Sequence, residues 1–493
     1  MSVAVLNEVR RGVYLDSVVL MRLSRMIAGL PGVVEAALMM GTPSNKKIMQ
    51  NAGILTQAGA DAQGNDLVIA IKAKDNEAAR ASLEQAYAQL EAPKASAREA
   101  AGWTAHTLRA AAKSLPGANL ALISVPGDFA IAEARNAIAN GLHVMIFSDN
   151  VAIEHELALK QEARARGYLV MGPDCGTAII NGVPLAFANR VPRGDIGIVG
   201  ASGTGIQEVS CLIARAGKGI SQAIGVGGRD LKQEIGGIST LTAIDALDRD
   251  SETKGIVLIS KPPHPDVARK VLARVEQSKK PFTICFLGAK NIDLPPNARL
   301  ASTLQAAAED AVGCANIGAG FSFPLTSVRK NGTIVGLYSG GTLCAEAQII
   351  LLENGRNVVS NAAVPGAKSM GVQSKADTMI DLGSDEFTRG RPHPMIDPSV
   401  RDDMLRATLS DANVAAILLD VVIGFGSHID PAGHLAALVA NAPKEAPLLI
   451  ASVTGTDDDP QGRARQVRTL QDAGIVVAPS NAWATRTALA CCR

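Results

Sequence analysis

The sequence predicts an α/β fold: several doubly wound parallel-sheet domains, with a small α+β domain at the N-terminus. Three observations carry that prediction. The 493 residues are 47% hydrophobic but only 3% aromatic, so Val, Ile, Leu and Ala must fill the cores, as in parallel sheets covered by helices on both faces. Strand-like apolar runs alternate with helix-length segments of about ten residues, the pattern of βαβ units. The C-terminal two-thirds also repeats itself, and 47 glycines suit its many short strand-to-helix turns.

Charge and cysteine content narrow the function classes. The net charge is +1 with acids and bases interspersed, which gives no footprint for nucleic acid or a membrane surface. No apolar run approaches the roughly 18 residues of a membrane span, and the start lacks a signal-peptide pattern, so a cytoplasmic location is expected. The seven cysteines are odd in number and form no C-x-x-C pair, as in a protein with reduced thiols. No HExxH or Walker A motif occurs, and no metal site is expected.

Element by element, residues 1–95 read as the small α+β domain. Val33–Met40 and Asp66–Ile71 are strands, and residues 75–90 form a helix. Residues 91–98 read as a linker. Residues 96–192 carry the strands Asn119–Val125, His143–Ser148 and Tyr168–Met171 with helices between them. Two further domains are expected over 193–325 and 330–493, and they resemble each other. Gly197-Ile198-Val199-Gly200-Ala201-Ser202-Gly203-Thr204 runs into a helix, and so does Gly336-Leu337-Tyr338-Ser339-Gly340-Gly341-Thr342, 139 residues later by the first glycines. Three more segments match in order: 224–230 with 380–385, 255–259 with 416–420, and 281–285 with 447–451. Ordered matches of this kind mark a duplicated unit.

Each repeat opens with strand, Ser/Gly/Thr turn and helix. The first helical N–H groups lack internal partners, glycine admits an anion close to the backbone, and the helix dipole favours negative charge. Ser202, Gly203 and Thr204, and Ser339, Gly340, Gly341 and Thr342, are therefore candidate cradles for phosphate or carboxylate. The same residue types also serve as plain helix caps. A second cluster is Arg389, Arg391, His393 and Asp397, with prolines at 392, 394 and 398 stiffening the backbone. Its arginines offer planar forks for an anion, and His393, with an ordinary pKa near about 6.5, offers proton transfer. The alternative is a rigid structural crossing. Gly227, Gly228 and Arg229 follow a strand, where Arg229 can hold a carboxylate and Asp230 orient it; the alternative is a plain surface turn. Gly424 and Gly426 follow another and permit close ligand approach. His264, within Lys261-Pro262-Pro263-His264-Pro265, reads as an exposed loop histidine.

These residues carry a resemblance. Ile123 to Phe147, Met171-Gly172-Pro173-Asp174-Cys175-Gly176 and Gly197 to Thr204 resemble the α chain of succinyl-CoA synthetase. Gly336 through Thr456 is similar to the ligase domain of its β chain. The whole arrangement resembles the FdrA family of acyl-CoA-synthetase-like proteins, most specifically at Gly200–Glu208, His393–Pro398 and Asp420–Gly426. The resemblance implies a CoA-binding-like Rossmann domain over 96–192 and two flavodoxin-like ligase-type domains after it. The synthetases' transiently phosphorylated histidine is absent from Phe286–Arg299, the ATP-grasp domain has no counterpart, and the Gly-rich CoA loop is not evident before Trp103. No cofactor is therefore expected, although CoA stays possible. FdrA-like proteins are associated with oxamate carbamoyltransferase, which exchanges a carbamoyl group between oxalurate and phosphate in allantoin catabolism. That implies small anionic substrates (phosphate, carbamoyl phosphate, oxalurate, oxamate), other subunits as partners, and an oligomer. An acyl-CoA or acyl-phosphate-handling enzyme and a non-catalytic anion-binding scaffold are the alternatives.

Overall fold

The computed structural model describes residues 3–492 apart from 14, 16, 92–104, 106, 291, 315–316, 319–320, 322–330, 372–375, 389–391 and 444. Arg389 and Arg391 of the proline-rich cluster, and most of the expected linker, thus lie outside the described residues. The chain forms two units, Met1–Leu159 with Thr388–Pro392, and Lys160–Phe387 with His393–Arg493.

The first unit opens with the expected α+β domain. Strand Leu67–Ala73 pairs antiparallel with Ala4–Arg10 on one side and Val33–Met40 on the other. Period-two alternation sorts its side chains. Leu67, Ile69 and Ile71 point into a core shared with Leu20 and Ile27 of helix Ser17–Ala28 and Ala79 and Ala86 of helix Asn76–Glu91. Val68 and Ala70 point the other way, against Met49 and Ile54. Each fully buried Ile or Leu contributes about 1.5–3 kcal/mol, so both faces hold the sheet. Further along, strands Leu120–Ile123 and His143–Ile146 pair in parallel, with helix Gly127–Ala139 crossing between them.

The second unit contains two seven-stranded sheets. In the first, strand Arg193–Gly200 is central, with Ile220–Gly225 on one side and Gly255–Ser260, Phe282–Phe286 and Ala298–Leu300 on the other. In the second, Thr333–Tyr338 is central, with Asp377–Asp381 on one side and Val414–Val422, Leu448–Thr454 and Val476–Ala478 on the other. The matched segments occupy equivalent places: Ile224 pairs with Val199 as Ile380 pairs with Leu337. One difference is an added strand, Val358–Ser360, outside Asp377–Asp381. All nine residues of Val414–Val422 are buried, as expected for a parallel strand covered on both faces.

The expected boundary at 192/193 needs correction. The hairpin Thr177–Ile180 and Val183–Ala186 joins the first of these sheets, pairing antiparallel to Ile220–Gly225. Its residues belong with the first repeat because their backbone N–H and C=O groups find their partners in that sheet.

The inner helices of the repeats, Gly203–Arg215 and Gly341–Glu353, exchange caps. Glu208 accepts from the Asn481 amide at 3.3 Å, at the start of the second repeat's last helix, and bonds the Thr454 hydroxyl. Glu346 accepts from the Leu304 amide at 2.7 Å, at the start of the first repeat's last helix, and from Asn481 Nδ2 at 2.7 Å. Each carboxylate satisfies an orphan helix N–H in the other repeat, which locks the two together.

Candidate anion site

The two expected cradles meet. Ser202 caps its helix by accepting from the Gly205 amide at 2.9 Å, and its Oγ lies 2.6 Å from Thr342 Oγ1 of the other repeat. A side chain on Gly340 would touch Thr204 Cγ2 at 3.0 Å. The turns are thus in van der Waals contact. Ser202, Thr204, Ser339 and Thr342 are buried, while Gly203 and Gly341 remain partly exposed. Among the described residues the amides of Gly203, Thr204, Gly341 and Thr342 have no hydrogen-bond partner. Two helix N-termini therefore present unsatisfied donors at one junction.

The second cradle is half filled by the protein. The Ser339 and Gly340 amides donate to Asp420 at 2.7 and 2.6 Å. Asp420 is fully buried and clamped by Arg401, which donates to Asp420 Oδ1 at 3.1 Å, to the Asp420 carbonyl at 3.0 Å and to the Ser339 hydroxyl. Ser339 and Gly340 were expected to hold a ligand; their amides hold an internal carboxylate instead. Such charge-assisted bonds contribute about 1.5–3 kcal/mol each.

Two residues that the sequence reading passed over complete the site. Asp381 ends the strand Asp377–Asp381 with 5% of its surface exposed. Its Oδ1 accepts from the Gly383 amide at 3.0 Å, and its Oδ2 lies 3.9 Å from Lys261 Nζ. Lys261 is 47% exposed, and its ammonium makes no hydrogen bond among the described residues. A side chain on Gly341 would meet Asp381 Oδ2 at 2.5 Å and Lys261 Nζ at 3.2 Å, so both charges border that glycine. Burial raises the Asp381 carboxyl above its usual range, against the pull of Lys261 and the Gly383 N–H. Lys261 stands three residues before His264, which caps helix Pro265–Glu276.

His393 reaches the same place. A side chain on Gly383 would meet His393 Nε2 at 2.7 Å, the Ser339 carbonyl at 2.8 Å and Asp381 Oδ1 at 3.3 Å. The imidazole Nδ1 accepts from the Met395 amide at 3.2 Å, which puts the ring proton on Nε2. Its ring packs against Phe187, centroids 5.8 Å apart. Burial pushes the pKa down to about 4, so at neutral pH His393 is an uncharged donor rather than the proton shuttle that an ordinary imidazole would be. Asp397 accepts from the Ser399 amide at 3.1 Å, opening the short turn Pro398–Arg401 that delivers Arg401.

The remaining candidates are placed by packing. A side chain on Gly424 (φ +126°) would meet the Ala188 carbonyl at 2.6 Å, and one on Gly426 (φ +78°) would meet Phe187 at 2.8 Å. Their bareness admits residues 187–188, not a ligand. Gly227 (φ +86°) similarly lies where a side chain would strike the Pro173 carbonyl at 2.4 Å. Gly228 is exposed and Arg229 partly so, on the loop that leads towards helix Ile238–Arg249. Asp230 does not orient Arg229. It is buried, ion-paired to Lys160 at 2.7 Å, and accepts from the Ser239 and Thr240 amides at 3.1 and 2.8 Å.

Comparison with known proteins gives the family. An uncharacterized protein, YahF, of Escherichia coli (strain K12) is 42% identical over 499 residues, covering 96% of each chain. The chain belongs to the YahF family. Family models match three stretches: "CoA-ligase" at 337–491, "CoA binding domain" at 193–288, and "AllF, heavy metal-associated domain" at 1–106. The succinate–CoA ligase [ADP-forming] α subunit of Methanothermobacter thermautotrophicus is 26% identical over 185 residues, 37% of this chain and 60% of that one. A solved dinucleotide-forming acetyl-coenzyme A synthetase 1 of Ca. Korarchaeum cryptofilum covers 80% of this chain at 15% identity, with a TM-score of 0.31.

The heavy metal suggested by the N-terminal family model finds no thiolate ligand in the matched residues of this YahF-family chain. Residues 1–106 contain no cysteine and only one histidine, His106, outside the described residues. Among the described residues no three His, Cys, Asp or Glu side chains are grouped to hold a metal ion. No described helix is long and apolar enough to cross a membrane.

Proposed function

We propose that this chain is a subunit of an oxamate carbamoyltransferase, which splits oxalurate with phosphate into oxamate and carbamoyl phosphate. The observation that carries the proposal is the junction of two helix N-termini with free amides at Gly203, Thr204, Gly341 and Thr342, bordered by the Lys261 ammonium. The reaction must bring together two anions that repel each other in water. Converging dipoles and a cation oppose that repulsion, and holding both reactants in one place removes much of the entropic barrier. A phosphate oxygen attacks the carbamoyl carbon, the C–N bond to oxamate breaks, and the phosphate's proton ends on the departing nitrogen. His393 Nε2–H is a neutral donor suited to the carbonyl oxygen as it gains charge. The match of residues 1–106 to a domain named for AllF supports a place in allantoin breakdown. Arg389 and Arg391 are proposed to clamp the oxalurate carboxylate.

The test is oxalurate phosphorolysis by the purified chain, alone and with its genomic-neighbour subunits. Phosphate-dependent release of oxamate in the reconstituted mixture, lost when this chain is omitted, is the expected result. Phosphorolysis that proceeds without this chain refutes the proposal. The match of 337–491 to a CoA-ligase model favours a second reading, an enzyme handling acyl-CoA or acyl phosphate. Calorimetric binding of CoA would favour that reading.

A further inference from the structure

The proposed reaction needs a group that moves a proton from phosphate to the departing nitrogen, and His393, uncharged at neutral pH, does not meet that need. We propose that Asp381 is the proton carrier of this site, taking up a proton as a doubly charged tetrahedral anion settles between Gly203 and Gly341 and passing it to the leaving amide nitrogen. The inference rests on reading the paired helix ends as an anion site.

The geometry is specific to Asp381. Its two oxygens border two bare glycines in different turns of the second repeat: Oδ2 beside Gly341 and Oδ1 beside Gly383. Among the described residues, the charged and titratable groups that face it come from four elements. Lys261 faces Oδ2 from the loop after strand Gly255–Ser260, and His393 approaches Gly383 from the proline-rich segment. Cys344, in helix Gly341–Glu353, is a buried thiol whose pKa is pushed up, and it stays neutral. Asp420 lies across the turn, its charge compensated by Arg401. Lys261 therefore stabilises the carboxylate of Asp381, while burial and Asp420 oppose it.

An anion arriving at Gly341 tips this balance. It repels the Asp381 carboxylate and draws the Lys261 ammonium to itself, and both effects favour a protonated Asp381. The protonated carboxyl then donates to the anion rather than repelling it. In turnover, the carboxyl proton goes to the nitrogen as the C–N bond breaks, and the hydrogen of the attacking HPO₄²⁻ restores it. Charge and atoms balance, with one dianion and one monoanion on each side. Lys261 fixes selectivity for a dianion over a single carboxylate, because a second charge is what compensates for breaking the Lys261–Asp381 pair.

The experiment uses the full-length protein and sulfate, a tetrahedral dianion that does not itself titrate near neutral pH. Calorimetric titration at pH 7 in two buffers of different ionisation heat counts the protons taken up on binding. Wild type is expected to bind sulfate with uptake of a measurable fraction of a proton, and Asp381→Asn to bind it with none. Lys261→Met, a change at a half-exposed position, is expected to bind roughly tenfold more weakly, since a partly solvated charge is lost. It should also take up fewer protons, because losing the Lys261 charge raises the Asp381 carboxyl further and leaves it less to gain when the anion arrives. Uptake unchanged in either variant, with binding intact, overturns the role of Asp381 and leaves the anion site standing. Absence of sulfate and phosphate binding in the wild type overturns both.

Discussion

Glu346→Gln is the change whose outcome is best determined by the structure. Glu346 is buried, and burial raises its carboxyl to about 7 from the ordinary 4.5, ahead of the opposing bonds from Asn481 and Leu304. A raised pKa means that the folded protein binds more protons than the unfolded chain between about 4.5 and 7. The stabilising contribution is therefore complete below about 4.5 and is lost as pH rises through about 7. The shift is worth roughly 3 kcal/mol at about 1.4 kcal/mol per unit. Glutamine is neutral at every pH and keeps an acceptor for the Leu304 amide. Its NH₂ must face Asn481, whose Oδ1 has no partner but whose Nδ2 also donates to the Leu343 carbonyl. Turning that amide costs about 1 kcal/mol. Glu346→Gln should thus be more stable than wild type by about 2 kcal/mol at pH 8, and no more stable at pH 5. Urea unfolding followed by Trp483 fluorescence in a Trp103→Phe background, at both pH values, measures this. Equal pH slopes in the two proteins would refute the argument.

Three further outcomes are expected. Gly203→Val should abolish phosphate binding by covering the free amides with a branched side chain, whereas Thr342→Val, which removes one hydroxyl bonded to Ser202, should cost about 1 kcal/mol of stability; isothermal titration and urea unfolding separate the two. His393 should stay uncharged in an NMR titration until pH approaches about 4, so its preference for the neutral ring stabilises the fold above about 6.5 and is lost as pH falls through about 4. His393→Gln should lower turnover in the reconstituted enzyme far more than it weakens substrate binding; equal loss of both would make it a binding residue.

The fold was legible because it rests on patterns local to the chain. Alternating Leu67, Val68, Ile69 and Ala70 specify a two-faced strand, and the ordered matches between 197–285 and 336–451 place equivalent strands in equivalent positions. The meeting of the two Ser/Gly/Thr turns followed from that duplication. Side chains whose roles depend on distant partners were not legible. Asp420 closes on amides about 80 residues earlier, and nothing around it marks a capping function. Gly424 and Gly426 read as ligand turns because a glycine that admits Ala188 has the same letter as one that admits a phosphate. Lys261 gained its meaning only when the first repeat brought it against Gly341 of the second.

The two halves of the junction are not equivalent, and the difference assigns their roles. In the second repeat Asp420 satisfies the turn amides, while the matched position in the first repeat is Ile259, an apolar side chain packed beside Gly205. The first helix therefore brings donors without a built-in anion, and the second brings donors whose field is partly neutralised. Asp420→Asn tests this asymmetry because stability and affinity should move in opposite directions. The variant leaves Arg401 buried without its carboxylate, which should cost about 3–5 kcal/mol. Removing a negative charge near the site, and leaving the guanidinium uncompensated, should tighten sulfate binding. At a separation of about 7 Å and an effective dielectric near 20 the Coulomb energy is about 2 kcal/mol, so a gain of at least about tenfold is expected. Urea unfolding and calorimetric titration on the same preparation measure both quantities. If Asp420→Asn loses stability and sulfate affinity together, Asp420 is supporting the shape of the cradle rather than competing with its ligand.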